Sequence, residues 1–188
     1  IPVIWAYDRL RIDTHITLVT PLSGTVGSMV SVTGNGFGGL EPIRIEFGTT
    51  QSITAVMSTG DGYFEAGFTV DSQSIGTNTI TAYGANTGQN YATYTFRVVP
   101  KLTSIVPTEG TVGTIITLSG DGFRKSETVK IDFGSTLTMT VDASNDGSFV
   151  REFVVNEQAY GTCSVVATGL SSNGRASIDF KILQAITH

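Results

Sequence analysis

Cysteine is nearly absent: Cys163 is the single example in 188 residues. No intrachain disulfide and no cysteine zinc cluster can form, and a sandwich of about 85 residues can bury enough surface to fold without either. Histidine is almost as scarce, with His15 and His188 alone. Charged residues make up 14% of the chain, against roughly 25% in an ordinary soluble domain. Thr, Gly, Ser and Val fill the gap, a composition that disfavours a coiled coil or a long helical bundle. The apolar content of 40% is ample for a core and disfavours a disordered tail. No apolar run reaches about 18 residues, so no membrane span is expected. No Asn-x-Ser/Thr sequon occurs. Positive charge is thin in both halves, with four basic and seven acidic residues up to Pro100, then seven and nine. Binding to nucleic acid through its phosphates has no footprint here. The sequence opens at Ile1 with neither Met nor a signal peptide, as expected of a processed or excised product.

What is present is a duplication. Pro21, Gly24, Thr25, Val26 and Gly27 recur 86 residues on as Pro107, Gly110, Thr111, Val112 and Gly113. Gly34, Gly36 and Phe37 recur as Gly120, Gly122 and Phe123, and Glu41, Ile43, Ile45, Phe47 and Gly48 as Glu127, Val129, Ile131, Phe133 and Gly134. The offset then falls to 85, pairing Gly62, Phe64, Phe68 and Gly76 with Gly147, Phe149, Phe153 and Gly161, and to 84 for Ala92, Phe96 and Val98 against Ala176, Phe180 and Ile182. Each change sits between strand-like stretches, where loops tolerate deletion.

Within a unit the period is two. Ile43-Arg44-Ile45-Glu46-Phe47 and Val129-Lys130-Ile131-Asp132-Phe133 alternate apolar and charged residues, as a half-exposed antiparallel strand does. The outward basic and acidic residues then share a face and pair weakly. Phe64, Ala66, Phe68 and Val70 form another inward set, as do Ala92, Tyr94, Phe96 and Val98. Gly60-Asp61-Gly62 and Asn145-Asp146-Gly147 read as turns, because Asp, Asn and Gly accept positive φ cheaply. Asn173-Gly174 reads as a type I′ hairpin turn. About seven strands per unit, with no helical period, imply a sandwich of immunoglobulin-like architecture.

Pro107-Thr-Glu-Gly110-Thr-Val-Gly113-Thr, Ile116-Thr-Leu118-Ser-Gly120-Asp-Gly122-Phe123 and Val129-Lys-Ile131-Asp-Phe133-Gly134 together resemble the IPT/TIG pattern, and Pro21 to Gly48 carries it again. The resemblance implies an all-β chain of two tandem immunoglobulin-like (IPT/TIG) β-sandwiches. This fold occurs in cell-surface receptors, transcription factors, bacterial surface proteins and accessory domains of secreted glycoside-active enzymes, so it specifies architecture more than role.

The expected domain plan places an N-terminal strand at residues 1–13, the first IPT/TIG domain at 14–99, the second at 100–184, and the start of a following repeat or a tail at 185–188. Only Val99-Pro100-Lys101 separates the units, a short linker expected to be stiff and to give a rod. Arg11 and Ile12 align with Arg97 and Val98, and Ile186-Thr187 with Ile16-Thr17 and Leu102-Thr103. Two readings of the ends stay open. One is a fragment of a longer tandem array. The other is a subunit whose segment 3–12 donates a strand to a neighbour, hiding Ile4, Trp5, Tyr7, Leu10 and Ile12.

Catalytic groupings are hard to find. Gly34-Asn35-Gly36-Phe37-Gly38-Gly39 matches G-x-G-x-x-G, but a dinucleotide site needs a helix next. Here Pro42 and an alternating strand follow, and the second copy lacks the third Gly, so a structural loop is expected and no cofactor-binding residue is assigned. His15 reads as a surface or interdomain contact, and Cys163 as a small buried residue on a strand. The carboxylates are spread singly along turns, with no acid/base pair and no triad. No catalytic residue is assigned, and the chain is read as a non-enzyme. Asp61, Asp121, Asp146 and Glu127 fall in loops from which a calcium site would be built. No EF-hand or nonapeptide spacing supports one, so turns made by these side chains are preferred; no metal residue is assigned and calcium is kept open. Trp5, Tyr7, Tyr63, Tyr83, Tyr91 and Tyr94 are the aromatics from which a glycan surface would be built. Without a face carrying several rings, core packing is the preferred reading.

These expectations point to a structural, non-catalytic extracellular repeat protein of a cell-surface layer (S-layer), stalk or filament. Its role is expected to be structural or adhesive, its partners identical subunits or neighbouring repeats, with strand donation as a route of assembly. The alternative is a noncatalytic glycan- or protein-binding accessory module of a secreted enzyme or adhesin.

Overall fold

A computed structural model describes residues 13–86 and 91–184. The described residues contain strands and turns and no helix. Trp5, Tyr7, the segment 3–12, His188 and the tail at 185–188, for which expectations were stated above, lie outside them. The strands form four sheets, two in each half of the chain.

The first sandwich comprises β1 (His15–Thr20), β2 (Ser23–Gly24), β3 (Met29–Asn35), β4 (Pro42–Phe47), β5 (Thr50–Met57), β6 (Phe64–Thr69), β7 (Gly76–Gly84) and β8 (Tyr91–Val98). One sheet runs β1-β3-β6 and the other β2-β8-β7-β4-β5. Alternation decides which residues face inward: Ile43, Ile45 and Phe47 are buried on β4 while Arg44 stays exposed. Phe64, Ala66, Phe68 and Val70 meet them from the opposite sheet, all buried, with the Phe47 and Phe68 ring centroids 5.2 Å apart. Burial of such side chains supplies about 1.5–3 kcal/mol each, which is what holds two short sheets face to face.

The second sandwich comprises β9 (Lys101–Val106), β10 (Glu109–Gly110), β11 (Ile115–Asp121), β12 (Thr128–Phe133), β13 (Leu137–Asp142), β14 (Phe149–Val154), β15 (Gly161–Gly169) and β16 (Arg175–Ile182). Its sheets, β9-β11-β14 and β10-β16-β15-β12-β13, repeat the first topology strand for strand. Phe133 sits at the centre of its core, with ring centroids 5.4 Å from Phe153 and 5.8 Å from Phe180. In each sandwich the two-residue strand pairs in parallel, β2 with β8 and β10 with β16. Counting it gives eight strands per unit, one more than the sequence pattern indicates, since two residues are too few to show a period.

The turn expected at Gly60-Asp61-Gly62 joins β5 to β6, and Asn145-Asp146-Gly147 joins β13 to β14. Gly62 and Gly147 have φ of +81° and +87°. A Cβ there would lie 2.1 Å from the Phe37 carbonyl oxygen and 2.2 Å from that of Phe123. Glycine is required at both by conformation and by space.

The Asn173-Gly174 expectation needs correction. The β15–β16 connection is a hairpin loop over residues 170–174, not a two-residue type I′ turn. Asn173 has φ +58°, but Gly174 is not among the positive-φ residues, whereas type I′ needs both. The loop is widened because its Ser171 and Ser172 amides turn onto the Glu127 carboxylate.

Candidate functional site

Glu127 ends the loop before β12 and is only 4% exposed. Its Oε1 accepts from the Arg124 amide at 2.6 Å and the Ser172 hydroxyl at 2.8 Å. Its Oε2 accepts from the amides of Ser171 and Ser172 at 3.2 and 2.9 Å and from the Ser171 hydroxyl at 3.0 Å. Burial opposes ionisation, but the amide and hydroxyl donors of Arg124, Ser172 and Ser171 outweigh it and hold the carboxyl below its ordinary range. Glu41, also buried, does the same work in the first sandwich, accepting from the Gly38 and Asn86 amides. Both carboxylates tie the loop before the fourth strand of their unit to the loop after the seventh. A calcium ion at Glu127 would have to displace five donors, so this residue is an anchor of the fold.

The carboxylates of Asp146 and Asp61 fold onto their own turns. Asp146 Oδ1 accepts from the Ser144 hydroxyl and from the hydroxyl and amide of Ser148, which lower its pKa. Asp61 accepts from the Thr59 hydroxyl, which lowers its pKa likewise. Asp121, expected in a loop, is instead the last residue of β11 and accepts from the Gly122 amide at 2.7 Å. Among the described residues no three His, Cys, Asp or Glu side chains come together.

His15 stands exposed on β1 with Nδ1 3.1 Å from the Asp13 carbonyl oxygen. Cys163 is buried on β15, and burial, reinforced by the charge of Asp179, pushes its thiol up and away from the nucleophilic thiolate. The Gly34–Gly39 segment leads into β4, a strand and not a helix.

The aromatics divide. Tyr94 is half-buried on β8. Tyr63 lines a groove of about 450 Å³ with Asn35, Gly36, Phe37 and Asp61. Tyr83 and Tyr91 belong to neither core. They stand on the outer face of the five-stranded sheet, where Tyr83 alternates with buried Ala82 and Gly84, and Tyr91 precedes buried Ala92. Their ring centroids are 5.6 Å apart at 39°. Arg44, paired opposite Tyr83 on β4, lays its guanidinium 4.9 Å from the Tyr83 ring centroid and meets Glu46 at 2.9 Å. Ala55 continues the row on β5. A groove of about 380 Å³ opens along it, lined by Pro42, Arg44, Ala55, Tyr83 and Ala85 among others. The preference for core packing is thus corrected at these two rings, Tyr91 being 57% exposed. Tyr160, at 78% the most exposed large hydrophobic side chain among the described residues, sits in the loop between β14 and β15, where no period marks it.

The family model of the IPT/TIG domain matches residues 100–179. The match lies within the second sandwich, and the first repeats its topology. Solved structures similar to the chain include the following three. A red sea bream transglutaminase is 11% identical at TM-score 0.38, with 93% of this chain and 32% of that one covered. A tetra-tandem repeat in the extending region of a large adhesion protein is 17% identical at TM-score 0.40, covering 89% and 49%. The adhesin InvE of Yersinia pseudotuberculosis is 12% identical at TM-score 0.38, covering 91% and 59%. The chain thus spans about a third to three-fifths of these structures, and no activity transfers from likenesses this distant. No curated protein matches the chain. Among the described residues no helix is long and apolar enough to cross a membrane.

Proposed function

We propose that the chain is a non-catalytic module of an extracellular, cell-surface protein, in which IPT/TIG sandwiches are set in series to carry or space other parts. The observation that supports this best is the duplication itself. Two sandwiches share one topology, one buried glutamate anchor and one set of turn glycines, which marks selection for repetition of a scaffold over elaboration of one cleft. Domains at 14–99 and 100–184 are part of this reading. So is a stiff junction, because only Val99 and Pro100 lie between β8 and β9 and proline fixes its own φ. Self-assembly through identical subunits or neighbouring repeats follows as the mode of action, in a stalk, filament or S-layer.

Antibodies raised against the chain test the location: they should label intact cells of the producing organism, and external protease should remove the label. Light scattering on purified protein tests the assembly, and a strict monomer at every concentration would overturn that part. A second reading, an accessory module that binds a glycan, is favoured by one observation, the outward tyrosine pair on the first sandwich.

A further inference from the structure

The row formed by Tyr91, Tyr83, Arg44 and Ala55 crosses β8, β7, β4 and β5 at one level of the sheet. Strands lie about 4.8 Å apart, so the row is roughly 14 Å long, enough for a short oligosaccharide. In the second sandwich the same level carries Arg175, Thr168, Lys130 and Thr140. The fold therefore does not require rings there. An exposed ring, Tyr91, beside a half-buried one, Tyr83, on one outer face forms a wet aromatic pair that belongs to no core.

We propose that this face of the first sandwich is a binding site for a neutral, β-linked polysaccharide. Phenol faces take up the C–H face that equatorially substituted pyranoses present. The groove beside them has room for the next sugar unit. Arg44 is already neutralised by Glu46, so the platform offers polar groups to sugar hydroxyls without the net positive charge that would select an anionic polymer. The Arg44 guanidinium carbon lies 4.9 Å from the Tyr83 ring centroid, which places the cation beside the ring. The proposal deepens the accessory-module reading and leaves the repeat-scaffold reading standing if it fails.

The test uses the full 188-residue chain in native gels containing hydroxyethylcellulose or arabinoxylan, with dextran and alginate as controls. Retardation by either β-linked polymer is expected, with affinity reduced about tenfold by Tyr91→Ala or Tyr83→Ala, retained in Tyr91→Phe, and unchanged in Thr168→Ala on the second sandwich. No retardation by either polymer overturns the proposal, as does retardation by alginate alone or retardation that both alanine variants preserve. Should the alanine variants fail to fold, the ultraviolet difference spectrum of the unaltered chain with cellohexaose decides. A tyrosine shift supports the site, and no shift at saturating sugar overturns it.

Discussion

Glu127 shows how far a side chain's role depends on partners that a linear sequence does not display. The repeat at Glu41 and Glu127 marks the position as shared, but its loop setting places it equally well among solvent-facing carboxylates. Only folding brings the Ser171 and Ser172 donors, 44 and 45 residues away, onto it. Loss of these charge-assisted bonds leaves part-buried amides without their acceptor, so Glu127→Ala is expected to cost about 2 kcal/mol, read from urea unfolding at pH 7. The pKa of Glu127 is lowered from 4.5 by folding. Its contribution is therefore present above that value and lost as pH falls through the folded-state pKa. Urea midpoints should decline below about pH 4.5, and Glu127→Gln should start lower at pH 7 and decline less. Cys163 offers a second check. With its thiol buried and pushed up, a thiol reagent should modify it slowly in buffer and rapidly in denaturant.

At the scale of the strand, the alternating sequence is readable because one face of each sheet is buried and the other is wet. Ile43, Ile45 and Phe47, or Val129, Ile131 and Phe133, must point inward together, since a slip of one residue would expose all three. The charged partners between them meet as expected, Arg44 with Glu46 and Lys130 with Asp132 at 2.8 Å. Less legible are features that depend on tertiary company. The Asn173-Gly174 dipeptide has the composition of a tight turn, but the Glu127 carboxylate recruits the neighbouring amides and opens the loop. The outward pairing of Tyr83 and Tyr91 depends on register between β7 and β8, which parity within one strand does not give. The Gly62 and Gly147 turns have the opposite character, visible in sequence and demanding in structure. Gly147→Ala should lower stability by about 2–4 kcal/mol through positive-φ strain and its clash with the Phe123 carbonyl, measured by the shift in urea midpoint at constant slope.

For the molecule as a whole, two self-contained cores imply that residues 100–184 expressed alone should fold, giving a β-type far-ultraviolet spectrum and one cooperative melting transition. With the loop carboxylates spent on their own turns and on the Glu127 anchor, the melting temperature in millimolar calcium should equal that in chelator; a rise reversed by chelator would show that the turns reorganise around an ion. The short parallel pairings have a mechanical meaning. β2 lies beside β8, and β10 beside β16, with both members of each pair pointing the same way. Tension entering a sandwich through its first segment and leaving through its last strand drags these neighbours past each other along their own length. Their hydrogen bonds then share the load instead of parting one at a time, so each sandwich carries a built-in latch against being pulled open from its ends.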